Sequence, residues 1–280
     1  MRRKKVLKKA ELLSKLRTVS PALANSDIVP MMTHFMFTGS KIVAYNDRIA
    51  IGVPCKTEFK GAIPGELLKW LETTGDKGEV EFLPTKKELV LKAGGSKAKF
   101  ATLPSDDFFF DLDKYKPSGK PVKIDLESFA TKLENVMRAC LPDSPVPEKM
   151  GVTLIPAKKG DKDWVKLYST DDVTLYCAAV PGKISERVIL PQAFCREVMR
   201  LVKDADKAEL ELRDDYALLI ADDVWVYGKY FDFDSKIDFD HIIDHHTKGA
   251  LKNLQPVPSK LAAVLDRAII VTDKNADYSQ

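Results

Sequence analysis

No apolar stretch in this chain is long enough to cross a bilayer, which takes about 20 consecutive residues. The first residues do not read as a secretory leader either. The start, Met1-Arg2-Arg3-Lys4-Lys5, is basic, but Lys8, Lys9 and Glu11 interrupt the place where an apolar run would follow. These absences point to a cytoplasmic protein with no membrane partner. Cysteine is scarce: Cys55, Cys140, Cys177 and Cys195 are far apart and show none of the paired spacings of a metal site. They read as small buried apolar groups in a reducing compartment. Charge of one sign is not in excess either. With 44 Lys and Arg against 41 Asp and Glu, the formal net charge is +3, too small by itself to require a nucleic-acid partner. Only the spatial distribution of that charge carries such information.

What the chain has is size and repetition. Its 280 residues suit about two domains, and 45% hydrophobic with 30% charged residues describe an ordinary globular composition. In the first half, residues 11–23 carry an apolar helical stripe at Leu12, Leu13, Leu16 and Val19. Strand-like runs follow at 34–37, 41–45 and 48–53. Pro64 then opens a helix through Leu67, Leu68 and Leu71, a first-turn position that suits proline. Runs at 79–83, 88–92 and 97–103 read as three more strands. The second half repeats that order. A helix over 126–141, striped by Phe129, Leu133, Val136 and Met137, precedes strands at 151–155, 164–169 and 173–180. Pro191 opens a helix burying Phe194, Val198, Leu201 and Val202, before strands at 207–213, 216–221 and 224–229.

The expected division is therefore 1–118, 119–235 and 236–280, with residues 115–123 (Pro117, Gly119, Pro121) linking the first two units. The last segment reads as a linker, 230–256, and the start of a third copy. Its helix is striped by Leu261, Val264, Leu265, Ala268 and Ile269, and the strands that would cover the stripe do not follow in this sequence. The expected fold class is α+β, with helices on one face of antiparallel sheets in each repeat.

Several short segments, in order, resemble the β sliding clamp of bacterial DNA polymerase III in a divergent, phage-type form. They are Val19 to Leu23 followed by Ile28 to Met32, Phe100 to Phe108, Leu167 to Asp171, and the run from Leu261 to Thr272. The resemblance implies repeated DNA-clamp domains closing into a ring whose helices line the hole and whose sheets form the rim. It implies a processivity factor without catalytic residues or cofactors. Its partners would be double-stranded DNA, a DNA polymerase, a clamp loader and further copies of itself. Partner peptides in that family dock beside the turn matched here by Thr170, Asp171, Asp172 and Leu175. The family's usual Gly-His-Arg in that turn is replaced by Asp172-Val173-Thr174.

A clamp needs cations facing phosphates without tight base contacts, so the faces opposite the apolar stripes are the place to look. They hold Arg17, Lys69, Lys132, Arg138, Arg196, Arg200, Lys203 and Arg267, with Arg196, Arg200 and Lys203 the best-aligned set. Polar faces of surface helices commonly carry Lys and Arg, however, and Glu66, Glu72, Glu127, Glu134 and Glu197 share or flank these ones. The basic start reads as a solvated end. A metal-dependent nuclease or hydrolase built on Asp106/Asp107, Asp171/Asp172 or Asp222/Asp223 is the enzymatic alternative. A clamp-fold scaffold that closes no ring is the other. The acidic pairs stand at expected turns, which favour Asp for its side-chain to backbone bonds, and no base or nucleophile accompanies them. His241, His245 and His246 are expected in the linker loop, and Trp70, Trp164 and Trp225 between helices and sheets.

Overall fold

A computed structural model describes residues 7–26, 29–75, 78–85, 88–108, 110–111, 114–232, 237–248, 258 and 260–261. The first repeat runs β1 (Leu7–Lys8), α1 (Lys9–Val19), β2 (His34–Phe37), β3 (Lys41–Tyr45), β4 (Ile49–Pro54), β5 (Gly61–Pro64), α2 (Glu66–Thr73), β6 (Glu79–Pro84), β7 (Glu88–Ala93) and β8 (Ser96–Ala101). The second runs β9 (Lys123–Ile124), α3 (Leu126–Val136), α4 (Pro147–Met150), β10 (Gly151–Lys159), β11 (Lys162–Thr170), β12 (Leu175–Lys183), β13 (Val188–Pro191), α5 (Gln192–Asp204), β14 (Ala208–Leu212), β15 (Tyr216–Ala221) and β16 (Val224–Lys229). Even the short pieces recur: a 3₁₀ turn follows both α1 (20–22) and α3 (137–139), and a proline-led turn precedes both β2 and β10. The α+β reading and the repeat are what the structure contains.

The sequence reading has no counterpart for the short strands β1, β5, β9 and β13 or for α4; the other differences within the repeats lie mainly at boundaries. Pro64 and Pro191 end strands instead of opening helices, their carbonyl sides still paired to His34 and Gly151. The next helix starts one or two residues later in each case. Cys177 is exposed while Cys55, Cys140 and Cys195 are buried. Strand alternation explains it: on β12, Cys177 and Ala179 face outward, while Val180 points into the core.

The helical stripes build the core. Leu12, Leu16 and Val19 of α1 and Leu67 and Leu71 of α2 are buried against the sheets in the first repeat. Phe129, Leu133, Val136, Phe194, Val198 and Val202 do the same in the second. Burying each such side chain contributes roughly 1.5–3 kcal/mol. At the start of α1, Lys9 is 1% exposed, and its ammonium donates to the carbonyls of Thr74 (2.6 Å) and Gly75 (2.9 Å). A cation thus meets the carbonyl end of α2, where the helix dipole favours it.

All pairing is antiparallel. The sheets are β1-β6-β7-β8, β13-β10-β11-β12-β9, and a seven-stranded sheet β14-β15-β16-β4-β3-β2-β5 that crosses from one repeat to the other. The crossing is β16 on β4, with Trp225 opposite Gly52, Val226 opposite Ile51 and Tyr227 opposite Ala50. It explains why residues 1–235 form one compact unit and 236–280 a second. On the outer face the Trp225 indole lies over Gly52, so a Cβ there would sit 2.3 Å from the ring. Trp225 is accordingly not between helices and sheets as expected. It is part of an aromatic layer in which Phe108, Phe110 and Tyr115 of the connector cover Tyr45, Tyr216 and Tyr227 of the sheet. Phe110 stacks on Tyr115 at 4.8 Å and on Trp225 at 6.2 Å. Burial within this layer pushes the Tyr45 hydroxyl up to about 12.

The linker between repeats is held by one carboxylate. Glu211 of β14 is fully buried and accepts from the amides of Ser118 (3.0 Å), Gly119 (2.9 Å) and Lys120 (3.2 Å), and from Nε of Arg213 (3.1 Å). Burial opposes its ionisation, but the Ser118 amide and the Arg213 guanidinium outweigh that and hold the carboxyl below its ordinary value. In the second unit, α6 (Phe239–Thr247) carries His241, His245 and His246, capped by Asp238 accepting from the His241 amide at 2.9 Å. These histidines are therefore helical, not in a loop. The Asp238 cap and the following apolar pair Ile242-Ile243 are the helix signal that the sequence carries there.

Two expectations follow. Gly52→Ala destabilises the protein by about 1–3 kcal/mol through overpacking, and most of that loss disappears in a Gly52→Ala/Trp225→Ala background. Urea unfolding of the four members of the cycle measures it; additive losses would mean the indole does not press on residue 52. Glu211→Gln costs about 1.5–3 kcal/mol near neutral pH, the range for hydrogen bonds to a charged group. Because the folded carboxyl is depressed, its contribution is present above the ordinary value of 4.5 and is lost as pH falls through the lower folded value. The gap between parent and variant should therefore close below pH 4.5. A gap that persists unchanged in acid would contradict this.

Candidate nucleic-acid interface

The helices present the candidate cations on the side away from the sheets, because each apolar stripe faces inward and a 3.6-residue period turns the intervening positions outward. On α5, Arg196, Arg200 and Lys203 are all exposed and fall at spacings of four and three, one line along the helix. Their surroundings differ. Arg196 donates only to Gln192 of its own helix, at 2.8 Å. Lys203 lines a groove between α3 and α5 with Glu127, Ala130, Thr131, Glu134, Met199 and Val202. Arg200 donates through Nε (2.9 Å) and Nη2 to Glu197, and through Nη2 to the Thr18 carbonyl at 3.2 Å.

The other candidates divide in the same way. Arg17 of α1 donates to Glu72 of α2 at 3.0 and 2.9 Å, an exposed bridge that ties the two helices of the first repeat together. Lys69, Lys132 and Arg138 are exposed and have no carboxylate partner among the described residues. Arg267, the stripe beyond Leu261 and residues 1–6 lie outside the described residues. The basic start, expected to be solvated through Lys9, is not so at its end, because Lys9 is buried on the carbonyls of Thr74 and Gly75. The helical face thus offers Lys69, Lys132, Arg138, Arg196 and Lys203 as cations not committed to an ion pair, with Arg17 and Arg200 already engaged. Glu72 and Glu197 are visible in the sequence as flanking acids, but their pairing depends on which helices meet.

The candidate partner site is a tight turn between β11 and β12. Asp171 accepts from the amides of Val173 (3.0 Å) and Thr174 (2.6 Å), and these bonds, the Thr174 one foremost, hold its carboxyl below the usual range. Thr170 Oγ1 accepts from the Asp172 amide at 3.2 Å, and Asp172 adopts a left-handed φ of 77° while accepting from Lys149 of α4. Thr170 and Leu175 are cross-strand partners at the end of the hairpin. The Thr170 and Asp171 side chains are therefore occupied in making the turn, and Asp172 in a pair with Lys149. Val173 at the apex is 94% exposed, beside the exposed Asp172 and Thr174, and Leu141, elsewhere in the second repeat, is 44% exposed. Neither stands out in the sequence. The sequence reading places Val173 at the start of a strand over 173–180, whereas β12 begins at Leu175 and leaves Val173 at the apex of the turn.

The remaining acidic pairs are turn residues too. Asp222, at φ 49°, accepts from the amides of Asp206 and Lys207, and Asp106 and Asp107 lie in a 3₁₀ turn. Among the described residues, no group of three or more His, Cys, Asp or Glu side chains is placed to hold a metal ion. Nor is any helix among them long and apolar enough to cross a membrane.

No family profile and no curated protein matches this sequence. Solved structures do. The DNA polymerase III subunit beta from Pseudomonas aeruginosa superposes with a TM-score of 0.69 at 16% identity, over 85% of this chain and 66% of that one. The C. crescentus beta sliding clamp gives 0.73 at 18% identity, over the same shares. A second Caulobacter crescentus sliding-clamp structure gives 0.72 at 17% identity, over 95% of this chain and 75% of that one. The fold is that of the β sliding clamps. At such identities the likeness speaks for the fold, and the chain spans about two thirds to three quarters of the length of these clamps.

Proposed function

We propose that this chain is a non-enzymatic DNA polymerase processivity factor, a sliding clamp that encircles duplex DNA. The observation that carries the reading is the exposed set Lys69, Lys132, Arg138, Arg196 and Lys203 on the helical side of a clamp-fold body. Long flexible cations on helices can neutralise phosphates without reading base edges, which suits a protein that holds DNA and still slides. Arg17 and Arg200 lie on the same helical side, already engaged by Glu72 and by Glu197 and Thr18, and Arg267, outside the described residues, is proposed as a further phosphate contact. Partner proteins, a polymerase and a clamp loader, dock at the turn of Thr170, Asp171, Asp172 and Leu175, beside the apolar Val173. The domain division is 1–118, 119–235 and 236–280, and the protein works in the cytoplasm.

Ring formation has support in the strand edges. The repeats join by β16 on β4, and β8 and β12 are the corresponding edges left over. Among the described residues β8 pairs only with β7, and residues 175–180 of β12 pair only with β11. Such edges invite another strand, so a further clamp repeat, from this chain or another copy, continues the arc.

Replacing Lys132, Arg138, Arg196 and Lys203 together by Glu should weaken duplex binding and flatten the plot of log affinity against log salt by up to about four units, near one for each phosphate no longer neutralised. The fold should survive, since none of the four is buried. Retention through high salt on circular DNA but not on linear DNA supports encirclement. Equal loss from both would favour a scaffold that closes no ring, and an unchanged salt slope would remove this face from DNA.

A further inference from the structure

We propose that Arg200 is a positioning residue, bracing the two repeats against one another on the helical face, and that it is not among the phosphate contacts. The second half of that statement rests on the reading of this face as the DNA side; the first half does not. Arg200 belongs to α5 of the second repeat, and the carbonyl it reaches, Thr18 O at 3.2 Å, belongs to the last turn of α1 in the first. The carbonyl end of a helix carries a partial negative charge, so a guanidinium is well placed there. Its other donors are fixed by Glu197, which is 5% exposed and accepts from both Nε and Nη2. A buried carboxylate one turn away holds the guanidinium plane and aims it across the seam.

The position matters because of what lies on the other layer. On the sheet side the repeats are joined by β16 on β4. Two bodies joined along one line can hinge about it. A second tie in the helical layer opposes that hinge and sets the angle between repeats. Arg200 is that tie, whereas Arg196 and Lys203, its neighbours along the same line of α5, reach no residue of the first repeat by hydrogen bond or ion pair among the described residues. The Arg200–Glu197 pair is also close to neutral as a unit. Bringing it near a phosphate releases few counterions, so it adds little to the salt dependence of binding.

The test uses the whole chain with Arg200→Ala, Glu197→Gln, Arg196→Ala and Lys203→Ala. One readout is the salt slope of binding to a short duplex; the other is amide hydrogen exchange over residues 16–23. Arg200→Ala is expected to raise exchange in that segment by about tenfold or more, leaving β15 unchanged. Its salt slope should stay at the parental value, while Arg196→Ala and Lys203→Ala each flatten theirs by about 0.9. Glu197→Gln, which frees the guanidinium charge, should steepen the slope by up to about 0.9. Unchanged exchange in Arg200→Ala overturns the brace, whatever happens to the slope. A slope flattened by about 0.9 in Arg200→Ala makes it a phosphate contact and overturns the second half. If none of the four variants alters the slope, the DNA reading of the face fails, and exchange alone still decides the brace.

Discussion

The pairing of β16 with β4 is the constraint on which the rest of this molecule depends. Four residue pairs, from Trp225 opposite Gly52 to Gly228 opposite Ile49, turn two half-sheets from different repeats into one sheet of seven strands. A glycine at residue 52 leaves room for the indole of Trp225, Phe110 of the connector stacks on that indole, and Tyr115 stacks on Phe110. With the sheet continuous, α1 and α2 of one repeat and α3 and α5 of the other come out on its far side as one face.

Buried charge in this protein is concentrated where segments distant in sequence must meet. Lys9 holds the end of α2, 65 residues away. Glu211 gathers the linker amides of Ser118, Gly119 and Lys120 over 91 to 93 residues. The buried Glu197 aims the exposed Arg200 at Thr18, 182 residues away from that arginine. Each desolvated charge is costly unless its partner is in place, so each penalises a wrong arrangement of the same apolar surfaces. Apolar burial supplies most of the drive to fold; these groups specify register and angle.

The order of elements was legible in the sequence because it depends on local periodicity. The stripe at Phe129, Leu133 and Val136 declares a helix whatever surrounds it, and the short apolar runs at 41–45, 216–221 and 224–229 declare strands to the residue. The joining of the repeats was not legible. Nothing in Val224 to Lys229 or Ile49 to Pro54 says that they pair with each other, and Gly52 reads as an ordinary strand glycine until Trp225 is placed on it. For the same reason the candidate cations could be counted but not sorted. Arg200 and Lys203 look alike on a helical wheel, and only the position of Thr18 and the burial of Glu197 separate them. The turn at Thr170 to Leu175 was found by resemblance, and the structure shows Asp171 turned to the backbone and Asp172 paired with Lys149, with Val173 exposed at the apex.

The central claim is that the helical face, and not the sheets, meets DNA. Lysine amines report it directly, because a phosphate close by shields them from chemical modification. With duplex DNA at low salt, Lys69, Lys132 and Lys203 should become several-fold less reactive, an effect removed by raising the salt beyond the range of screened contacts. The exposed sheet lysines Lys92, Lys97 and Lys99 should keep their reactivity in the same sample. Protection of the sheet lysines with the helical ones left reactive would contradict the account.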